Sequence, residues 1–287
     1  MRAKFGPGGN SEAFYLSGFK STLDAPLYVK QIGLDAYEYE AGNGIGANAS
    51  LFREIGKRAK EHGVAMSFHT PYFISLSSLE ESKRINSIEY IQQSLDAAHL
   101  LGAKTIVIHA GSCAKISRNE ALMLAKDTLY RALCTVERHG ISLGIETMGK
   151  INQLGTLDEV LSICEMDRAL VPVVDFGHLN ARECGGVFKT EEDYFRVFER
   201  IATTLGDEVA RNLHCHFSMI EWTDKGEKKH HTFERVDFGP PYEPLCDMLT
   251  KNNLSPTIIC ESNGTQCADA LLMKQRYIGD MTERIKI

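Results

Sequence analysis

The sequence predicts a single α/β domain, residues 1–287, that folds as a closed (β/α)8 TIM barrel. Short runs of apolar and β-branched residues alternate with longer helical patterns from one end of the chain to the other, and this order is typical of a parallel sheet. Eight such runs within 287 residues suit a closed barrel better than an open sheet. No low-complexity tract or linker divides the sequence, so we expect one domain.

The predicted strands are short and apolar. They lie near Arg2–Gly6, Leu34–Glu40, Ala65–His69, Thr105–His109, Ser142–Glu146, Val171–Asp175, Asn212–His216 and Thr257–Glu261. The predicted helices include Ala47–Glu61, Leu79–Leu101, Asn119–His139, Leu157–Cys164, Glu191–Leu205 and Pro244–Lys251. In the second of these helices, apolar residues recur every three or four positions from Ile85 onwards, as expected for a helix with one buried face. Glycines such as Gly63 and Gly102 mark helix ends.

Composition places the chain among ordinary globular proteins. Apolar residues make up 43% and charged residues 24% of the sequence, which excludes disordered and collagen-like chains. No run approaches the roughly 18 apolar residues of a membrane span, and residues 1–9 lack the apolar core of a secretory signal. The eight cysteines are scattered without a Cys-x-x-Cys pair, which favours free thiols in a reducing compartment. We therefore expect a cytoplasmic protein with no membrane association.

Potential metal ligands follow six successive predicted strands. They are His69, His109, Glu146, Asp175, His214 and Glu261. The carboxyl ends of barrel strands meet at one rim, where the active site of this fold lies. Three carboxylates and three imidazoles brought together there are strongly unfavourable unless cations neutralise them. Mixed nitrogen and oxygen ligands favour Zn²⁺, with Mn²⁺ or Fe²⁺ as competitors.

Each of these residues also has a simpler explanation. A single His after a strand is more often a hydrogen-bonding partner than a ligand, and a single acidic residue there is often a helix N-cap. These explanations must hold independently at six positions, and that coincidence favours a metal site. His178, three residues after Asp175, could also face the rim. The charged segment Glu221–His231 is predicted to be a loop, either a solvated excursion or a functional loop.

Four motifs carry a resemblance to a known family. They are His69-Thr70-Pro71-Tyr72, His109-Ala110-Gly111-Ser112, Glu146-Thr147-Met148-Gly149 and Asp175-Phe176-Gly177-His178. Together they resemble the endonuclease IV type of apurinic/apyrimidinic endonuclease, within the xylose-isomerase-like barrels. The resemblance implies a zinc-dependent enzyme of DNA base-excision repair that cleaves damaged double-stranded DNA 5′ to abasic sites. The products would be a 3′-hydroxyl and a 5′-deoxyribose phosphate.

The resemblance also implies residue roles and two or three zinc ions. The ligands would be His69, His109 and Glu146 for one ion, Glu146, Asp175, His214 and Glu261 for a second, and His178 and His230 for a third. Glu146 and Glu261 would assist proton transfer, while Tyr72 and Phe73 would enter the minor groove beside a flipped nucleotide. We expect the protein to act as a monomer.

The sequence departs from the family pattern at several places. The family's Asp-x-His is replaced by Lys228-Lys229-His230. Either Glu227 compensates, or the third ion is lost or weakened and Lys228 contacts a phosphate. After the seventh strand, both His214 and His216 could be the ligand; we prefer His214, because Ser218 then keeps its register. The loop Asn43–Asn48 lacks the basic residues expected of a DNA-binding groove.

Two other functions remain open. A sugar isomerase or epimerase would need one ion, held by Glu146, Asp175, a strand-seven His and Glu261. That function leaves His69, His109 and His230 without a common purpose, so we prefer the nuclease. A binding protein that keeps its metal ligands only for stability is a third possibility. The net charge of −6 disfavours a broad basic surface for nucleic acid, although bound cations can reverse the field of a cleft.

Overall fold

A computed structural model describes residues 2–46, 48–252 and 254–285, with side chains described as far as residue 279. Ten strands are present in these ranges. They are β1 (Lys4–Pro7), β2 (Ala36–Glu40), β3 (Ala65–His69), β4 (Thr105–His109), β5 (Ser142–Glu146), β6 (Leu170–Asp175), β7 (His214–Phe217), β8 (Met219–Thr223), β9 (Gly226–His231) and β10 (Thr257–Cys260). Strands β8 and β9 form an antiparallel hairpin, and the other eight form one parallel sheet.

Helices follow the sheet strands and cover the outside of the sheet. They are α1 (Glu12–Leu16), α2 (Ala25–Gln31), α3 (Ala49–His62), α4 (Glu81–Leu101), α5 (Arg118–Thr135), α6 (Leu157–Cys164), α7 (Phe176–Arg182), α8 (Glu191–Leu205), α9 (Asp207–Arg211), α10 (Glu243–Lys251) and α11 (Gln266–Ile285), with a short 3₁₀ helix at Thr22–Asp24. Within the described ranges, no helix combines the length and apolar composition that a bilayer span requires.

The sheet closes into a barrel with strand order β1-β10-β7-β6-β5-β4-β3-β2. Its two ends meet because the Gly9 N–H donates to the Glu38 carbonyl oxygen (3.0 Å) and the Asp35 N–H donates to that of Phe5 (2.9 Å). Along β5, Leu143 and Ile145 belong to the apolar core, whereas Glu146 lies on the opposite face. That face is the barrel interior, so the last residue of β5 points into the mouth.

The predicted (β/α)8 barrel is confirmed, and each predicted strand and helix is found. Strands β3, β4 and β5 and helices α6 and α8 have the predicted ends, and the other elements have shifted ends. The largest shift concerns the helix predicted to reach His139, which ends at Thr135 because Val136 is extended. The predicted start of the first helix, Ala47, lies outside the described residues. The segment Glu221–His231 is not a loop, as predicted, but contains most of the β8–β9 hairpin. The hairpin lies on the rim with one face towards solvent, so its sequence is charged and lacks the apolar period that would have predicted strands.

Candidate metal centre

Five of the six strand-end residues come together at the carboxyl end of the barrel. They surround the inner end of a cavity of about 700 Å³ whose lining includes His69, His109, Glu146 and Glu261. Glu146, at the end of β5, is fully buried at the centre of this arrangement. Its Oε2 lies 2.9 Å from His109 Nε2 and 3.5 Å from His69 Nε2. These three residues form the first ligand group.

The second ligand group shares Glu146 with the first. It consists of Glu146, Asp175, His216 and Glu261. His216 Nδ1 lies 3.1 Å from Glu146 Oε1 and 3.0 Å from Glu261 Oε1. His214, which we had placed in this group, lies one layer deeper on the same face of β7, and its Nε2 is 2.9 Å from Glu38 Oε2. The β7 residue of this group is therefore His216 and not His214, as we had expected. The strand register explains the correction, because it aligns His216 with Asp175.

The third ligand group consists of His178, Glu227 and His230. Glu227 Oε2 lies 3.4 Å from His178 Nε2, and Glu227 Oε1 lies 3.8 Å from His230 Nε2. A β-bulge explains how Glu227 and His230, three residues apart, face the same side. Glu221 pairs with Lys229 and Trp222 with Glu227, so Lys228 is the extra residue of the bulge. Glu227 thus lies beside His178 and His230, as required by the alternative in which it compensates for the aspartate that the family has in Asp-x-His.

We expected Lys228 to contact a substrate phosphate, but its side chain does not line the cavity. Its ammonium group pairs with Glu221 Oε1 at 2.5 Å, and its side chain is exposed. The bulge turns Lys228 away from the ligand groups, which is why its predicted contact with a substrate phosphate is not supported. The cation that lines the cavity is instead Lys150, in the connection between β5 and α6.

Tyr72 and Phe73, for which the resemblance implies contact with DNA, have largely exposed side chains. Tyr72 is 63% exposed and lines the cavity, whereas Phe73 is 48% exposed and is not among the residues that line it. The Tyr72 ring lies 5.9 Å from the His69 ring and 6.0 Å from the His109 ring, measured between centroids. Phe73 packs edge-on against Tyr90. These contacts place Tyr72 beside the first ligand group and Phe73 against α4.

Two carboxylates near the site were missed. Glu38 and Glu40 lie on β2, where Glu40 lines the cavity and Glu38 is fully buried beneath it. The signal that could have found them is the two-residue period of a strand, which places both side chains on the inner face. Burial raises the pKa of Glu40 to about 8.

The electrostatics couple the imidazoles to the carboxylates. Burial alone would lower the pKa of His69, but the carboxylates of Glu40 and Glu146 outweigh it and raise that pKa to about 10. Burial alone would raise the pKa of Glu146, but the imidazoles of His109 and His216 hold it well below its ordinary value. The raised pKa of His69 and the lowered pKa of Glu146 both arise because the buried imidazole and carboxylate groups stabilise each other's charged forms. Divalent cations would replace the imidazole protons.

The donor atoms fit divalent cations. Glu146 Oε2 and Asp175 Oδ2 are buried atoms without a hydrogen bond, which is costly unless another partner satisfies them. Hydrogen bonds also orient the histidines. His69 Nδ1 contacts the Thr70 carbonyl oxygen at 3.0 Å, and His178 Nδ1 contacts that of Thr147 at 2.9 Å. Both rings thus direct Nε2 towards their ligand groups, as metal-binding histidines do.

The sequence comparison decides the family. Residues 27–277 match the family described as the xylose isomerase-like TIM barrel. The chain belongs to this family. It is 30% identical over 250 residues to an uncharacterized protein of Methanocaldococcus jannaschii, covering 86% of this chain and 88% of that protein. It is 29% identical over 160 residues to a protein named probable endonuclease 4 of Mycoplasma pneumoniae, and this match spans 53% of each chain.

Solved structures with the same fold include members with different activities in their names. Endonuclease IV from Thermus thermophilus superposes with a TM-score of 0.68 at 16% identity, covering 98% of this chain and 99% of that chain. A D-tagatose 3-epimerase-like protein superposes with a TM-score of 0.70 at 18% identity, with the same coverage. At these identities the likeness establishes the fold, and the function must be argued from the site.

Proposed function

We propose that this protein is a metal-dependent phosphodiesterase of the endonuclease IV type, which cleaves DNA 5′ to abasic sites in base-excision repair. The observation that carries the proposal is the set of three adjacent ligand groups around one mouth, two of which share Glu146. A one-metal enzyme needs only the second group. The matches to proteins named probable endonuclease 4 support the same choice.

The ligand groups would each hold one cation. Nitrogen and oxygen donors in sets of three or four suit Zn²⁺, and Mn²⁺ or Fe²⁺ could also bind. Cations bound there would polarise the phosphate oxygens and lower the pKa of a water molecule. Glu146 would hold the first two groups at a fixed separation, because its two oxygens face different groups.

The chain's own residues would position the substrate and move the proton. Glu261 is partly exposed at the cavity wall, where its carboxylate can accept a proton from the attacking water. The water oxygen would form a bond to phosphorus while the bond from phosphorus to the 3′-oxygen breaks, and the released 3′-oxygen would take up a proton from solvent to give the 3′-hydroxyl. Lys150 lines the cavity and would contact the negative phosphodiester. Tyr72 and Phe73 would insert beside the lesion and keep the abasic nucleotide extruded.

A sugar epimerase is the second candidate. The cavity wall at Ala41–Gly44 contains no basic side chain, unlike a DNA-binding groove, and the fold matches the epimerase-like structure equally well. In that case Glu146, Asp175, His216 and Glu261 would bind one cation, and the first and third groups would have no shared task. Counting the bound ions distinguishes the candidates: the nuclease requires more than one per chain.

The decisive experiment is incision of a DNA duplex containing a tetrahydrofuran abasic analogue, which hydrolysis can cleave but β-elimination cannot. We expect cleavage 5′ to the analogue by the purified protein, loss of cleavage after treatment with a chelator, and recovery after addition of Zn²⁺. The same duplex with an intact base serves as the control. No incision at any metal loading, together with a single bound ion and epimerisation of a ketohexose, would replace this proposal by the second candidate.

A further inference from the structure

A buried pair, Glu38 and His214, lies directly beneath the second ligand group. Glu38 comes from β2 and is fully buried; His214 begins β7 on the other side of the barrel and is 8% exposed. Their side chains meet at 2.9 Å, between His214 Nε2 and Glu38 Oε2. The other oxygen, Oε1, lies 2.8 Å from His216 Nε2. The pair therefore connects the barrel interior to a residue of the proposed metal site.

His216 faces two different environments with its two ring nitrogens. Nδ1 is directed to the second ligand group, 3.0 Å from Glu261, whereas Nε2 is directed down to Glu38. A neutral imidazole offers one lone pair to a cation and carries its proton on the other nitrogen, which then needs an acceptor. In the buried surroundings of His216 Nε2, the carboxylate oxygen within reach is Glu38 Oε1, at 2.8 Å. Within the described ranges neither atom forms a hydrogen bond of normal geometry, so the 2.8 Å approach between them is a close polar contact.

Three other histidines of the ligand groups are oriented differently from His216. His69 and His178 use Nδ1 for backbone carbonyl oxygens, and His230 Nδ1 contacts the Ser218 hydroxyl at 2.9 Å. All three thus direct Nε2 to the cavity, while His216 directs Nδ1 there. His178 Nδ1 also lies 3.3 Å from Asp175 Oδ2, but it has the Thr147 carbonyl oxygen at 2.9 Å, whereas the contact of His216 Nε2 is the Glu38 carboxylate at 2.8 Å. A carboxylate acceptor makes the imidazole a stronger electron donor than a carbonyl does.

We propose that Glu38 and His214 are positioning residues that hold His216 in the tautomer with its proton on Nε2 and Nδ1 free to bind the second cation. His214 would fix the Glu38 carboxylate from the side opposite to His216. Without Glu38, the ring can take the other tautomer, and Nδ1 is then blocked by a proton. The inference rests on the proposed function in one respect, namely that His216 is a metal ligand.

The test measures the affinity for Zn²⁺ and the tautomer of His216 rather than enzymatic turnover. Metal-free wild type, Glu38→Gln and His214→Gln are titrated with Zn²⁺ against a competing chromophoric chelator. For Glu38→Gln we expect one of the Zn²⁺ sites to weaken about 10- to 100-fold while the others keep their affinity. His214→Gln should weaken the same site by less. Glu221→Gln is the matched control, because it removes another carboxylate paired with a His, His231, outside the cavity.

A spectroscopic readout separates positioning from general loss of structure. In long-range ¹H–¹⁵N spectra of the zinc-loaded protein, one histidine should be bound through Nδ1 and protonated at Nε2, and that signal should disappear in His216→Asn. In Glu38→Gln the same signal should shift or vanish. If Glu38→Gln does not fold, as judged by circular dichroism, His214→Gln provides the same measurement.

Three results would overturn the inference. Unchanged zinc affinity and an unchanged His216 signal in the folded variants would show that the pair does not act on His216. An additional ion in the wild type that is lost in His214→Gln would make the pair metal ligands themselves. If the wild type binds no ion at all, the proposed function fails as well, whereas in the first two cases the proposed function stands.

Discussion

The protein contains two partly buried polar networks that lie side by side. They differ in how many of their buried polar atoms form hydrogen bonds. One is the metal centre, formed by the three ligand groups. The other, which we call the loop network, consists of Arg118, Glu159 and Arg182 and holds the connection between β5 and α6, residues 147–156. Both networks place charge in the protein interior, so burial alone does not tell them apart.

In the loop network, the charged groups have hydrogen-bonding partners on every side. Arg182 donates to the carbonyl oxygens of Met148, Lys150, Ile151 and Gln153 at 2.8–3.3 Å. Glu159 accepts two hydrogen bonds from Arg118, each of 2.7 Å, and two from the N–H groups of Gly155 and Thr156. The metal centre, by contrast, leaves buried oxygens of Glu146 and Asp175 without a hydrogen bond. A buried network whose polar atoms all form hydrogen bonds stabilises the fold, whereas buried atoms without hydrogen bonds indicate a site for a ligand.

The largest expected difference comes from the same substitution made in each network. Glu146→Gln removes the carboxylate that two ligand groups share, so we expect loss of at least one bound ion and a decrease in abasic-site incision of about a thousandfold or more. Glu159→Gln should retain its ions and incise within about threefold of wild type. Metal content by elemental analysis and the single-turnover rate check both. Equal rates for the two variants would remove the distinction between the networks.

The next effect is on stability alone. Arg182→Met deletes donors to four carbonyl oxygens while the side chain stays buried, which should lower the free energy of unfolding by about 3 kcal/mol. We expect the ion content to stay the same, because the ligands come from strand ends, the hairpin and His178 of α7 rather than from this loop. Denaturant titration of the metal-free protein is the measurement. A loss of stability that appears only in the metal-loaded protein would contradict this assignment.

The barrel could be predicted because its signals are local. Short runs of apolar and β-branched residues, glycines after helices and His or acidic residues at strand ends can each be found in a short window of sequence. His69, His109, Glu146, Asp175 and Glu261 were found because each ends a strand, and the ends of parallel strands meet in any barrel. That rule does not require knowledge of how far each strand is shifted against its neighbour.

The errors arose where that shift matters. His214 and His216 face the same side of β7, and only the register against β6, which aligns His216 with Asp175, decides which of them lies at the level of the cavity. The side chain of Lys228 was predicted to face the substrate, but a bulge in β9 inserts one residue and turns it away. No local sequence pattern predicts a bulge within a charged segment. Glu38 needed only the two-residue period, but it lies below the strand end where ligands were sought.

The smallest expected effect is pH-dependent and belongs to the loop network. Burial alone would raise the pKa of Glu159, but the hydrogen bonds from Arg118, Gly155 and Thr156 outweigh it and hold that pKa below its ordinary value. A depressed folded-state pKa stabilises the protein above the unfolded pKa of about 4.3, and this contribution disappears as the pH falls through the lower folded value. Because the Arg118 side chain is 36% exposed, solvent screening reduces the contribution to about 1 kcal/mol.

Glu159→Gln should therefore be less stable than wild type by about 1 kcal/mol at pH 7, and the difference should shrink towards zero as the pH falls below 4. Taking the difference between the two proteins at each pH cancels the titration of the metal centre, which both share. Urea unfolding of the metal-free proteins from pH 3 to pH 8 measures it. A difference that stays constant over this range would mean that Glu159 acts through packing rather than through its charge, and the loop network would then owe its stability to Arg182 alone.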